Sequence, residues 1–194
     1  MTMVLNGTSG VTTNSGTLIS ATTIGVGGTT PSASGAGISF PATQSASSDA
    51  NTLDDYEEGS FQPTLTDSSG NSATMDINTF RYTKVGQLVF FTGTLSWTST
   101  TALVAGSRLR LTGLPFVSSN TPAGNYRSAI NVGSASSGAF NITTAQIKAG
   151  IDPNVSYVWF TNVSGNNVDG NMVKADIGTA GVIYGITGTY QTST

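Results

Sequence analysis

The chain contains no cysteine and no histidine, and only 9% of its 194 residues are charged. The first absence excludes disulfides, thiolate metal sites and a cysteine nucleophile. The second removes the usual general base near neutral pH, the Ser/His arrangement for acyl transfer and the commonest transition-metal ligand. Most hydrolytic chemistry is therefore closed to one chain acting alone, and no cofactor is expected. Seven Lys and Arg stand against ten Asp and Glu, a formal net charge of −3. Nothing there marks a basic surface for phosphate backbones or a basic amphipathic helix for lipid, so neither nucleic acid nor membrane is an expected partner. No apolar stretch approaches the roughly 18–20 residues that cross a bilayer, and the N-terminus lacks the basic flank and apolar run of a signal peptide. The expectation is a soluble protein made in a cytoplasm.

What is present is distributed unevenly. Residues 49–59, Asp-Ala-Asn-Thr-Leu-Asp-Asp-Tyr-Glu-Glu-Gly, hold five of the ten acidic groups, Asp49, Asp54, Asp55, Glu57 and Glu58. Residues 1–48 are a Ser/Thr/Gly/Ala leader with no charged residue and a single aromatic, Phe40; the other fifteen aromatics and every Lys and Arg come after it. The leader has too little apolar area to offset its ordering entropy unaided. An uncharged, Gly-rich segment with sparse aliphatics such as Val4, Leu5, Leu18 and Ile19 orders when it docks on another protein or winds with sister chains, which supply partners for its backbone groups. The expected organisation is a docking leader at 1–48, an acidic neck at 49–59 and one globular domain at 60–194.

Past Gly59 the pattern becomes period-two alternation punctuated by turn residues, the signature of an all-β domain. The clearest hairpin runs from Thr79 to Lys84, turns near Val85-Gly86, and returns from Gln87 to Trp97, with Val89, Phe91, Leu95 and Trp97 on one buried face. Ser107–Leu111 alternates with Leu109 and Leu111 inward and Arg108 and Arg110 outward. Further strands are predicted at 61–65, 126–132, 155–163, 172–177 and 182–190, and a short helix over 143–150, capped by Thr143 and closed by Gly150. Ser/Gly-rich stretches at 99–106, 118–125, 133–138 and 164–170, with Asp152-Pro153-Asn154 and Val168-Asp169-Gly170, read as exposed turns. Seven or more short strands predict an antiparallel β-sandwich or jelly roll.

Three ordered motifs carry a family resemblance. Ile38 to Gly59, Ile-Ser-Phe-Pro-Ala-Thr-Gln-Ser-Ala-Ser-Ser-Asp-Ala-Asn-Thr-Leu-Asp-Asp-Tyr-Glu-Glu-Gly, resembles the joint that precedes the C-terminal β-domain of many tailed-phage fibre proteins. Tyr82 to Gly93, Tyr-Thr-Lys-Val-Gly-Gln-Leu-Val-Phe-Phe-Thr-Gly, looks like that domain's aromatic hairpin, and Leu111 to Phe116 is similar to its Thr-Gly-Leu-Pro-Phe turn. The resemblance implies a homotrimer on the virion exterior, its arm held by other virion proteins and its β-domain presented to a host glycan or protein. Phe61 stands where the family often has Trp. A leader of 48 residues at roughly 3.3 Å each spans at most about 160 Å, which fits a short fibre, a knob or a capsid ornament better than a long tail fibre. The alternative is therefore a capsid decoration or head-fibre protein.

Individual residues admit bland readings. The joint's carboxylates suit a hard cation, but their spacing departs from an EF-hand loop, and a turn or short helix capped by Asp54, Asp55, Glu57 and Glu58 explains them, with Leu53 and Tyr56 toward the trimer axis. Glycan cleavage needs a positioned pair of carboxylates; the only glutamates are adjacent and the remaining aspartates are scattered, so no enzyme is expected. Arg108 and Arg110 are candidate contacts for an anionic sugar or a neighbouring carboxylate, or else the solvated side of a strand. Tyr126, Phe140 and Tyr190 are the aromatics expected in the exposed loops. The sequons at Asn6, Asn141, Asn154 and Asn162 are expected by chance in a Ser/Thr-rich chain.

Overall fold

A computed structural model of the chain describes residues 23–43, 47, 49, 51–120, 127–142, 146–164 and 168–193. The chain divides into two compact units, Met1–Ser45 and Ala46–Thr194. In the first, strands β1 (Thr23–Gly25) and β2 (Gly37–Ser39) pair in parallel with Ile24 opposite Ile38. Val4, Leu5, Leu18 and Ile19, expected to dock the leader, lie outside the described residues.

The second unit is all-β, as the alternation predicts. Its strands are β3 (Tyr56–Phe61), β4 (Thr64–Asp67), β5 (Thr74–Met75), β6 (Phe80–Val85), β7 (Leu88–Ser99), β8 (Leu109–Thr112), β9 (Ser128–Asn131), β10 (Gln146–Ile151), β11 (Tyr157–Ser164), β12 (Val168–Asn171) and β13 (Gly181–Gln191). Hydrogen bonds join all eleven into one antiparallel sheet in the order β3-β6-β7-β13-β9-β10-β11-β8-β4, with β5 beside β7 and β12 beside β11. The first and last strands of that path are consecutive in the chain, separated by Gln62 and Pro63 alone. Three Cα–Cα steps of 3.8 Å cover at most about 11 Å, so the two ends of the sheet must meet and the sheet must curl around its core. Pro63 cannot donate to a ladder, which is why the predicted strand at 61–65 breaks there into two.

The inward face of the curl is the apolar half of each alternation. Val89, Phe91, Leu95 and Trp97 of β7 are buried together, as predicted, alongside Phe80, Leu65, Leu109, Leu111, Ile130, Val158, Phe160, Ile183, Ile186 and Tyr190. The β6–β7 hairpin turns through Gly86 and Gln87, with Val85 facing Leu88; Gly86 has φ 54, the positive value that the first position of a tight II′ turn requires. Aromatic rings repeatedly lie over a glycine directly opposite on the next strand: Phe80 over Gly93, Tyr82 over Gly59, Phe91 against Gly188, Trp97 over Gly181 and Trp159 over Gly150. A Cβ at Gly93 would fall 2.3 Å from the Phe80 ring.

Several expectations are corrected. The predicted helix at 143–150 is strand β10 from Gln146 onward, because Ala149 and Ile151 fill the core while the backbone pairs with both β9 and β11; tertiary burial outweighs the local capping signals. The predicted strand at 172–177 is one 3₁₀ turn at Lys174–Asp176, where Asp176 Oδ2 accepts the Val173 N–H at 2.8 Å. Val168, Asp169 and Gly170, expected as a turn, form most of β12 against β11. Tyr190 is buried at 2% exposure rather than displayed in a loop, its hydroxyl bonded to the backbone of Phe116.

One buried carboxylate fastens the loops that flank β8. Asp67, 2% exposed at the end of β4, accepts hydrogen bonds from the backbone N–H of Ser69 at 2.8 Å, Asn71 at 3.0 Å and Val104 at 2.8 Å. Burial pushes its pKa up, but the N–H groups of Val104, Asn71 and Ser69, with the Asn71 amide, outweigh this and hold it below the ordinary carboxylate value. A carboxyl depressed in this way contributes stability that is complete above about pH 4, where it is ionised unfolded. That stability is lost as pH falls through the lower folded pKa. Asp67→Asn should cost about 1–3 kcal/mol at pH 7 and flatten the fall in melting temperature below pH 4. Gly93→Ala should cost a similar ~1–3 kcal/mol through overpacking, with Thr92→Ala on the exposed face of the same strand near neutral in the same thermal melts.

Candidate functional site

Two groups of predicted residues can be followed into the fold. The acidic joint opens with the expected turn, in which the Thr52 N–H donates to the Asp49 carbonyl at 3.1 Å, and at Tyr56 becomes strand β3, antiparallel to β6. Backbone capping does occur: Asp54 Oδ2 accepts the Ser47 N–H at 2.6 Å and Asp49 Oδ1 accepts the Asn51 N–H at 2.9 Å. The remaining carboxylates are matched to side chains. Glu58 accepts from the Tyr56 hydroxyl and Glu57 from the Tyr82 hydroxyl, and burial together with Glu57 raises Tyr82 to about 12. Asp55 is buried against the ammonium of Lys84, whose pKa burial lowers and the charge of Asp54 raises. Among the described residues, no group of three or more acidic side chains is placed to hold a metal ion.

The joint's apolar residues face outward. Leu53 is 56% exposed, and Tyr56, Val85 and Leu88 stand side by side across β3, β6 and β7, with Phe90 in the next outward row. This exposed band on three adjoining strands is the sort of contiguous apolar surface that marks an association site.

Arg108 and Arg110 sit on the outer face of the sheet, as the alternation predicts, yet both are half-buried. Arg110 lies directly opposite Trp159 in the β8–β11 register, and Thr112 opposite Tyr157, so β11 presents Tyr157 and Trp159 outward while Val158 and Phe160 point into the core. The guanidinium carbon of Arg110 lies 4.4 Å from the Tyr157 ring centroid and that of Arg108 lies 5.2 Å from the Trp159 centroid. Such stacking orders a long side chain while leaving the guanidinium edges free to donate. The indole is in turn pressed over Gly150, where a Cβ would come within 2.4 Å of the ring. Trp159 Nε1 donates to Asp152 Oδ1 at 3.0 Å, and Arg127 Nε reaches the same oxygen at 2.9 Å.

That carboxylate is therefore occupied, and among the described residues neither Arg108 nor Arg110 forms an ion pair. Burial, with the charges of Arg110 and Arg127, pulls Arg108 below the usual guanidinium value, against the pull of Asp152 and Tyr157; it stays charged at any physiological pH. The Nε atoms of both are buried without a hydrogen-bond partner. Beyond Trp159, a groove of about 330 Å³ runs over β9 and β10, lined by Arg127, Ala129, Asn131 and Lys148 among others. Four of the seven basic residues, Arg108, Arg110, Arg127 and Lys148, thus gather on one sheet face of an acidic protein.

Tyr157 and Trp159 are absent from the sequence-derived candidates. Their run, Tyr-Val-Trp-Phe, reads as apolar on both faces, and the only signal that separates them is period-two alternation continued from Leu109 and Leu111. Phe140, predicted in an exposed loop, is half-buried against the core and bridges to Ile177. Tyr126 lies outside the described residues.

The Asp55–Lys84 pair is open to a direct test. Asp55→Ala removes the carboxylate from beside the buried Lys84 ammonium and should cost about 3–5 kcal/mol. The double change Asp55→Leu with Lys84→Met should recover most of that loss in urea unfolding, since neither charge of the pair then remains to be buried.

No family model matches the sequence, and no curated protein matches it. Among solved structures, the crystal structure of the Dettilon tailspike protein is similar, with a TM-score of 0.55 and 18% sequence identity over 70% of this chain and 24% of that one. The chain spans about a quarter of the tailspike's length, and at this identity the likeness is one of fold.

Proposed function

We propose that the chain is a bacteriophage virion structural protein: a homotrimeric fibre or knob, anchored by its N-terminal arm to other virion proteins, whose β-domain faces outward for host attachment. The observation that carries this reading is the fold likeness of the curled β-domain to part of a tailspike protein. The three motifs from Ile38 to Phe116 agree with it in sequence. The band of Leu53, Tyr56, Val85, Leu88 and Phe90 supports self-association, because a sheet edge with that much apolar exposure is ordinarily covered. In this reading the protein binds and does not cleave. Its chemistry is recognition, carried by the outer face that holds Arg108 and Arg110.

Quantitative mass spectrometry of purified virions tests the placement. A few copies per particle, set by tail symmetry, are expected, together with a trimeric mass in sedimentation equilibrium that falls to monomer in Leu88→Asp. An abundance comparable to the major capsid protein would overturn the attachment reading in favour of shell decoration.

A further inference from the structure

We propose that the outer face of β8, β11, β10 and β9 binds an acidic polysaccharide, with a sugar carboxylate received by the guanidinium groups of Arg108 and Arg110. This rests on the attachment reading above and names the ligand's chemistry. Charge complementarity is the first argument. Arg108 and Arg110 share one strand face two residues apart and, among the described residues, form no ion pair, while Asp152, the carboxylate whose charge acts on Arg108, is engaged by Arg127 and Trp159. Two like charges side by side on a half-buried face repel, and an anion that bridges them removes that repulsion while supplying the missing acceptors.

Geometry is the second argument. Each guanidinium is stacked on a ring of β11, and the Trp159 ring is itself pressed on Gly150. The planar forks are held before any ligand arrives, which lowers the ordering cost of a bidentate contact. The third argument is the shape beside them. The groove beyond Trp159 combines an indole wall and the methyl of Ala129 with the amide of Asn131 and the donors of Arg127. This mixture of flat apolar surface and spaced polar groups suits a sugar ring, whose two faces are apolar and whose rim carries hydroxyls. A phosphodiester polyanion such as a nucleic acid is disfavoured, because its binding rests on many basic residues tracking the backbone and the chain has only seven Lys and Arg.

The test is titration of the intact protein with oligogalacturonate, with dextran of matched length and with inorganic polyphosphate. Saturable binding of oligogalacturonate is expected, at least tenfold tighter than dextran. It should fall at least tenfold in Arg110→Gln and also fall in Arg110→Lys, which keeps the charge but loses the fork and the stack. Unchanged melting temperatures in both variants separate loss of the site from loss of the fold; should Arg110→Gln melt early, the half-exposed Arg108→Gln replaces it. Equal binding of dextran, or undiminished binding in these variants, would overturn the proposal. So would polyphosphate binding as tightly as oligogalacturonate, which would mark a general anion patch. A protein present at fibre copy number that binds no acidic sugar would end this inference and leave the attachment reading standing, whereas acidic-sugar binding by a protein abundant on the shell would do the reverse.

Discussion

The fold depends on aromatic rings packed against glycines of the adjoining strand. Five such pairs, at Phe80–Gly93, Tyr82–Gly59, Phe91–Gly188, Trp97–Gly181 and Trp159–Gly150, are spread over both halves of the sheet. A glycine in a strand is costly in entropy and leaves backbone bare. A ring on the opposite residue covers that backbone and gains dispersion contact that no Cβ-bearing neighbour would allow. Because each pair requires one particular residue opposite one particular glycine, these pairs also pin the register, and with it which face of every strand points inward.

Register then sorts the charges. A slip by one residue in β8 would bury Arg108 and Arg110 and expose Leu109 and Leu111, so the core contacts of the two leucines are what hold the arginines on the outer face. The loop that precedes β8 is fastened by Asp67, which accepts the Val104 N–H, and by Lys174, whose ammonium donates to the carbonyls of Thr101 and Leu103 at 3.0 and 2.9 Å. Inside the curl, Asp55 and Lys84 neutralise one another, and Tyr190 bonds to the backbone of Phe116. The interior therefore carries balanced polarity, and the outer face of β8–β11 carries the excess positive charge.

Closure of the sheet sets the edges. Since β3 and β4 are the two ends of the strand path and only Gln62 and Pro63 separate them, the acidic joint enters the domain at the seam of the curl. There β3 pairs with β6 among the described strands, and Tyr56, Val85 and Leu88 are exposed. Glu57 and Glu58 on that strand are satisfied by tyrosine hydroxyls and so place charge at an edge that would otherwise invite indiscriminate strand pairing.

Much of this was determined by the sequence alone. Alternation named the all-β class, the β6–β7 hairpin, its buried face of Val89, Phe91, Leu95 and Trp97, and the outward side of Arg108 and Arg110, because period-two patterning is a direct record of which side of a pleat is wet. Composition separated the charge-free leader from the domain. Only the tertiary structure decided the rest. It made a strand of the helix-like segment after Thr143, because neighbours on both sides offered its backbone better partners than its own turn did. It turned the carboxylates of the joint toward Lys84 and the tyrosines, 25 or 29 residues distant or next but one in the chain. It also joined Arg108 to Trp159 and Arg110 to Tyr157, residues nearly fifty positions apart whose meeting depends on a sheet order that no local pattern encodes.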